Sequence, residues 1–135
     1  MPLINWSDSY SVKVKEIDNQ HKKLIEIINN LHDHMKNGKG REQVGPILDE
    51  LVKYTVYHFS FEEKLFAQHN YPESKVHVRQ HSDLIERVNN YIDDFKAGKG
   101  VLPMDLMDFL KRWLMEHISG ADKKYSSFFN AKGIN

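Results

Sequence analysis

Apolar residues recur at three- and four-residue intervals in four runs along this chain, and each run carries histidines or carboxylates on the same stripe. In the first run, Leu24, Ile28, Leu31 and Met35 extend the stripe that His21 begins; Asp18 suits its N-cap and Gly38 its end. A second passes through Leu48, Leu51, Thr55, His58, Glu62 and Leu65 and stops at Asn70-Tyr71-Pro72. Its start lies between Arg41 and Pro46, because Val44 fits the stripe while Pro46 lacks a donor and disfavours a helical Gly45. The third carries His77, His81, Leu84, Val88, Ile92 and Phe95 before Gly98 and Gly100. A fourth opens at Pro103, a favoured first helical position, and turns Leu106, Leu110, Trp113, His117, Tyr125 and Phe129 inward. Short connections between four helices predict an all-α protein, an up-down-up-down antiparallel four-helix bundle.

Residues 1–16 depart from this pattern. Tyr10, Val12 and Val14 alternate like a strand, but nothing else in the chain offers a strand to pair with them. The expectation is an extended N-terminal arm over a bundle spanning 17–130, anchored by Trp6.

Length and charge narrow the function. The 135 residues fit a single domain, and 19 basic residues balance 19 acidic ones, so no global field attracts nucleic acid or an anionic membrane. Cysteine is absent, which excludes disulfides, thiolate clusters and a cysteine nucleophile. The N-terminus lacks a basic segment followed by an apolar core, and no stretch approaches the ~20 apolar residues of a membrane span. No membrane insertion and a cytoplasmic location are expected.

The polar residues on the stripes supply the chemistry. In antiparallel helices, residues equidistant from a connection lie at one level. His21 precedes the first connection by about as many residues as His58 follows it, roughly 18, or some 27 Å at ~1.5 Å per residue. The same count places Glu62 opposite His77 and His81, and that pair opposite His117 and Asp122. An unpaired buried polar group costs several kcal/mol, so seven of them at one level call for a metal. Imidazole and carboxylate donors suit iron, zinc, copper or nickel, and seven exceed what one octahedral ion uses. Two ions are therefore expected.

Spacing within each helix agrees. His58/Glu62 and His77/His81 are i,i+4 pairs that share a face. His117 and Asp122 are five apart, about 140° on a regular helix, so a π-type widening around Ser119-Gly120 is expected to turn both inward. His32, His34 and His69 fall off this layer and are assigned structural or surface roles.

Four segments carry a family resemblance: DNQH at 18–21, HFSFEE at 58–63, YPESKVHVRQH at 71–81 and WLMEHISGAD at 113–122. Together with the Trp6 arm, the chain resembles the hemerythrins, specifically the single-domain bacteriohemerythrins, over nearly its whole length. The resemblance implies a non-heme di-iron cofactor that binds O2 reversibly. By position, His77, His81 and His117 would ligate one iron and His21 and His58 the other, with Glu62, Asp122 and an oxo or hydroxo group bridging them. That assignment leaves one coordination position open, beside His21 and His58, for O2 or a small anion. The family's oxygen pocket maps onto Leu24, Phe59, Trp113 and Leu114, with Tyr125 a weaker candidate near Asp122.

Ferritin-like oxidases, the commonest rival, use two Glu-x-x-His motifs and a carboxylate-rich field, which this chain lacks at the metal layer. The expected role is oxygen transport, storage or delivery to an oxidase or redox partner, and not an enzyme. The alternatives are an oxygen or redox sensor, and a di-iron enzyme acting on peroxide, nitric oxide or O2.

Overall fold

The computed structural model describes residues 3–37, 41–98 and 103–135. In chain order it contains α1 (Lys15–Lys36), α2 (Arg41–His69), α3 (Ser74–Lys96) and α4 (Pro103–Glu116), a π-helical turn (His117–Asp122), and a short α5 (Ser126–Ala131). No strand occurs among the described residues. Helix α1 packs against α2 and α4, and α2 against α3; Arg87 and Tyr91 of α3 close the ring on Phe109 of α4. Lys96 at the end of α3 reaches Asp49 near the start of α2, while Glu63 near the end of α2 meets His81 near the start of α3. These neighbours are thus antiparallel, and the architecture is the expected four-helix bundle.

Helix α2 starts at Arg41, with Pro46 inside it. Gly45 has no Cβ for the proline ring to crowd, which eases the pre-proline restriction there. Its other end stops at Asn70, whose φ of 54° is left-handed, and the Tyr71 amide folds back to the Phe66 carbonyl at 3.0 Å. Asparagine tolerates that conformation, and the back-bond satisfies a terminal carbonyl. Gly98 takes the same role after α3, with φ 74° and a bond to the Phe95 carbonyl. Gly38 and Gly100, expected to end the first and third helices, lie outside the described residues.

The start of α1 corrects one expectation. Val14, not Asp18, occupies the cap position. Asp18 sits in the first turn and reaches backward, accepting from the Val12 amide at 2.8 Å and the Ser11 hydroxyl at 2.6 Å. A carboxylate near a helix start serves either place, and the sequence does not show which donors the arm brings within reach.

The arm is also held differently than expected. Trp6 is only half-buried, edge-on to Tyr10 and beneath the Lys22 ammonium. Ile4, Val12 and Val14 are the buried anchors. Asn29 clamps Ile4 from both sides, accepting from its amide at 2.9 Å and donating to its carbonyl at 2.8 Å. The strand-like alternation places Val12 and Val14 inward, and side chains take the place of a ladder: Ser126 donates to the Val12 carbonyl and Asn130 to that of Lys13. A 3-10 turn at Asp8–Tyr10 interrupts the extended path.

Two apolar clusters result. The larger runs along the bundle from Leu24 and Phe59 to Leu31, Leu48, Val88 and Leu106. The smaller joins Val12, Val14, Ile17, Phe66, Tyr71, Tyr125 and Phe129 at one end. Phe66, rather than Leu65, is the buried residue of α2 there. Fully burying a side chain such as Phe66 or Phe129 contributes about 1.5–3 kcal/mol. The polar layer lies between the clusters, with Phe59 stacked on His81 from one side and Phe66 against His77 from the other.

Candidate metal centre

Each polar side chain of the layer is aimed by its helix. Helix α1 supplies His21, α2 supplies His58 and Glu62, and α3 supplies His77 and His81. The i,i+4 pairs stack one turn apart on inward faces. His117 and Asp122 come from the π-helical turn, whose i→i+5 bonding brings residues five apart over one another. Ser119 and Gly120 occupy its exposed side, and the Ser119 hydroxyl donates to the Met115 carbonyl. All seven side chains are buried; His117, the most accessible, is 6 % exposed. Imidazole centroids lie 4.7 Å apart for His21 and His58 and for His77 and His117, and 4.6 Å apart for His77 and His81.

The donors fall into two sets that share one residue. His77, His81, His117 and Asp122 form one group of converging atoms, and His21, His58, Glu62 and Asp122 the other, each within 4.8 Å. Asp122 spans both. Its Oδ1 is 2.8 Å from His77 Nε2 and 3.0 Å from His117 Nε2, while Oδ2 is 3.0 Å from His21 Nε2. Glu62 Oε1 faces both sides too, 3.1 Å from His58 Nε2 and 3.4 Å from His81 Nε2.

These approaches are short without being aligned hydrogen bonds. Eight buried atoms in the layer lack a hydrogen-bond partner: both ring nitrogens of His21, Nε2 of His77, His81 and His117, Glu62 Oε1, and both Asp122 oxygens. Seven of them are converging donors. Buried polar groups without partners cost several kcal/mol together, and metal bonds are what this donor geometry accommodates. The residues present therefore fit bound metal, with its donors offered in two sets that share Asp122.

Electrostatics keeps the carboxylates ready to ligate. Burial raises the proton affinity of Glu62, and the Asp122 charge adds to that, yet His58 and His81 bring it net below the usual carboxylate range. Burial likewise opposes ionisation of Asp122, but His117, with His21 and His77, carries it well below its ordinary value. Tyr125 goes the other way: burial and then the Asp122 and Glu62 charges push its hydroxyl well above the usual value. It stays protonated, and its O–H donates a hydrogen bond to Glu62 Oε2 at 2.5 Å. A carboxylate oxygen has two acceptor sites, so this bond leaves Oε2 one for a cation.

The sequence reading missed two partners on the outer ring nitrogens. His58 Nδ1–H donates to Gln20 Oε1 at 2.7 Å, and His81 Nδ1–H to Glu63 Oε2 at 3.0 Å. Both tautomers leave Nε2 as an inward lone pair. Gln20 is 2 % exposed, an unusual burial for an amide, but its adjacency to His21 hides this from a stripe that selects every third or fourth residue. The other histidines lie apart: His34 bonds the Asn30 carbonyl of its own helix, His69 packs on Phe129, and His32 is half-buried.

A cavity of about 30 Å³ opens onto the layer from the bundle side. It touches His21, His58, His117 and Asp122, and its walls are apolar apart from Thr55. The Thr55 hydroxyl is spent on the Leu51 carbonyl at 2.6 Å. Leu24, Phe59, Trp113 and Leu114 all line it, joined by Ile28, Val88 and Leu110, which sequence reasoning treated only as core. Trp113 stacks on His117 with centroids 4.3 Å apart.

Comparison with known proteins matches this arrangement. Residues 12–128 match the family model described as the hemerythrin HHE cation binding domain. A bacteriohemerythrin of Stenotrophomonas maltophilia is 39 % identical over 126 residues, covering 93 % of this chain and 81 % of that protein. One from Methylococcus capsulatus is 31 % identical over 132 residues, covering 97 % and 100 %. The crystal structure of a wild-type hemerythrin superposes with a TM-score of 0.87 at 31 % identity, covering 93 % of this chain and 96 % of that one. With sequence, fold and buried donor layer in agreement, the chain belongs to the hemerythrin family.

Proposed function

We propose that this chain binds O2 reversibly at a di-iron centre and serves in oxygen transport, storage or delivery. The three-histidine set, His77, His81 and His117, would hold one iron. His21 and His58 would hold the other, with Glu62 and Asp122 shared between them. Iron held there would supply the electrons that O2 binding requires.

The observation that carries this reading is an asymmetry. The small apolar cavity abuts both imidazoles of the two-histidine side, His21 and His58, but only His117 of the other three, and does not touch His77 or His81. Leu24, Phe59, Trp113 and Leu114 exclude bulk water there. The Tyr125 hydroxyl donates to Glu62 Oε2 and so holds the carboxylate plane between the two sets. Five imidazoles and two carboxylates also leave the layer less anionic than a carboxylate-rich oxidase site, which favours the ferrous state.

The test is a visible spectrum followed through anaerobic reduction, air exposure and re-evacuation of the iron-loaded protein. A band that appears with oxygen and vanishes on evacuation supports carriage. Immediate conversion to a stable diferric spectrum, or steady turnover of peroxide or nitric oxide with a reductant, overturns it.

A further inference from the structure

The two donor sets differ in what stands behind their imidazoles. On the three-histidine side, the outer nitrogen of His81 bonds the Glu63 carboxylate, whose side chain is 37 % exposed. On the two-histidine side, the outer nitrogen of His58 bonds the neutral amide oxygen of Gln20, which is buried. Gln20 is oriented in turn by donating Nε2 to Glu16 Oε1 at 3.1 Å. His21 Nδ1, on the same side, is buried with no hydrogen-bond partner. A carboxylate on the outer nitrogen of His81, and no anion on the outer nitrogen of His58 or His21, is thus the pattern around the centre.

A carboxylate accepting from an imidazole N–H increases the electron donation of the opposite nitrogen, whereas a neutral amide does so much less. More donation favours the higher oxidation state of a bound cation. We infer that Glu63 is a positioning residue that biases the three-histidine iron toward the ferric state, while Gln20 leaves the two-histidine iron, which faces the cavity, easier to keep ferrous. This rests on the di-iron reading above. The site that meets O2 is then protected from oxidation in its absence by the lack of a charge behind its ligands.

Glu63→Gln is isosteric and retains an acceptor for His81 Nδ1–H, so it removes charge with little change in shape. Nitrogen-15 NMR of the metal-free variant is expected to show the His81 tautomer unchanged. Redox titration of the iron-loaded variant with one-electron mediators is expected to shift the second reduction equilibrium, that of the three-histidine iron, toward ferrous by about tenfold, or 59 mV for one electron. The converse change, Gln20→Glu combined with Glu16→Gln to return a donor to the new carboxylate, is expected to shift an equilibrium toward ferric by a similar factor.

A purely structural Glu63 predicts that E63Q leaves both tautomer and potential unchanged. Variants that carry two irons yet show unmoved potentials overturn this inference alone. A wild-type protein that takes up fewer than two irons overturns the di-iron reading and this inference with it.

Discussion

Tyr125 lies three residues beyond Asp122, yet its hydroxyl bonds the other shared carboxylate, Glu62 Oε2, at 2.5 Å across 63 positions of sequence. The residue is fully buried between the aromatic cluster of Phe66, Tyr71 and Phe129 and the donor layer. It ties the end of α2 to the segment after the π-helical turn and removes the need for water at that oxygen.

Replacing Tyr125 with Phe is expected to destabilise the metal-free protein by about 1–3 kcal/mol in urea titrations, because a buried carboxylate oxygen loses its donor. The pH dependence follows from the raised proton affinity of the hydroxyl. The folded chain keeps a proton that the unfolded chain releases near pH 10, so the contribution is whole below that pH and declines above it. Y125F is expected to lack this part of the alkaline loss.

Asp122 contributes to both donor sets, whereas His81 belongs to one. Titration of the metal-free protein with zinc, which is redox-silent, is expected to show two equivalents bound by the wild type. Asp122→Ala should weaken both, and His81→Ala should abolish one while sparing the other.

Leu114 is buried on the cavity wall. Leu114→Ser is expected to cost about 2–5 kcal/mol in unfolding experiments, in the range of large-to-small core changes. Admitting water beside the open position is expected to hasten autoxidation on the order of tenfold, the effect of ~1.4 kcal/mol on a barrier. An unchanged autoxidation rate would show that the wall is not what keeps the site dry.

The π-helical turn gives a prediction about spacing. Deleting Gly120 would let the helix return to regular α geometry and bring His117 and Asp122 to the four-residue spacing that also shares a face. Circular dichroism is expected to remain that of a helical bundle and zinc binding is expected to persist, whereas its loss would show that a shared face alone does not position Asp122. Gly120→Ala should likewise bind normally, since an added Cβ there meets nothing within 4 Å.

Much of this was legible in the amino acids because helical spacing and antiparallel counting are both one-dimensional. The level shared by His21 and His58 needs only residue counts, and the five-residue step from His117 to Asp122 needs only the helical period to demand a widened turn. What escaped depends on side-chain reach. Asp18 satisfies donors ahead of its helix rather than capping it, and the arm hangs on Ile4 and Val12 rather than on its tryptophan. Gln20 and Glu63 stand inside the very motifs that mark the site, yet nothing in a pattern of stripes says that a neighbour of a ligand turns back to hold another helix's imidazole.

The cavity adds a selection by size to whatever the donors select by chemistry. About 30 Å³ admits one or two molecules the size of water. Diatomic gases and the smallest anions pass that filter, while an alkyl chain, a sugar or a peptide does not. The residues that wall this space, and not the donors alone, therefore set which small molecules fit beside His21 and His58.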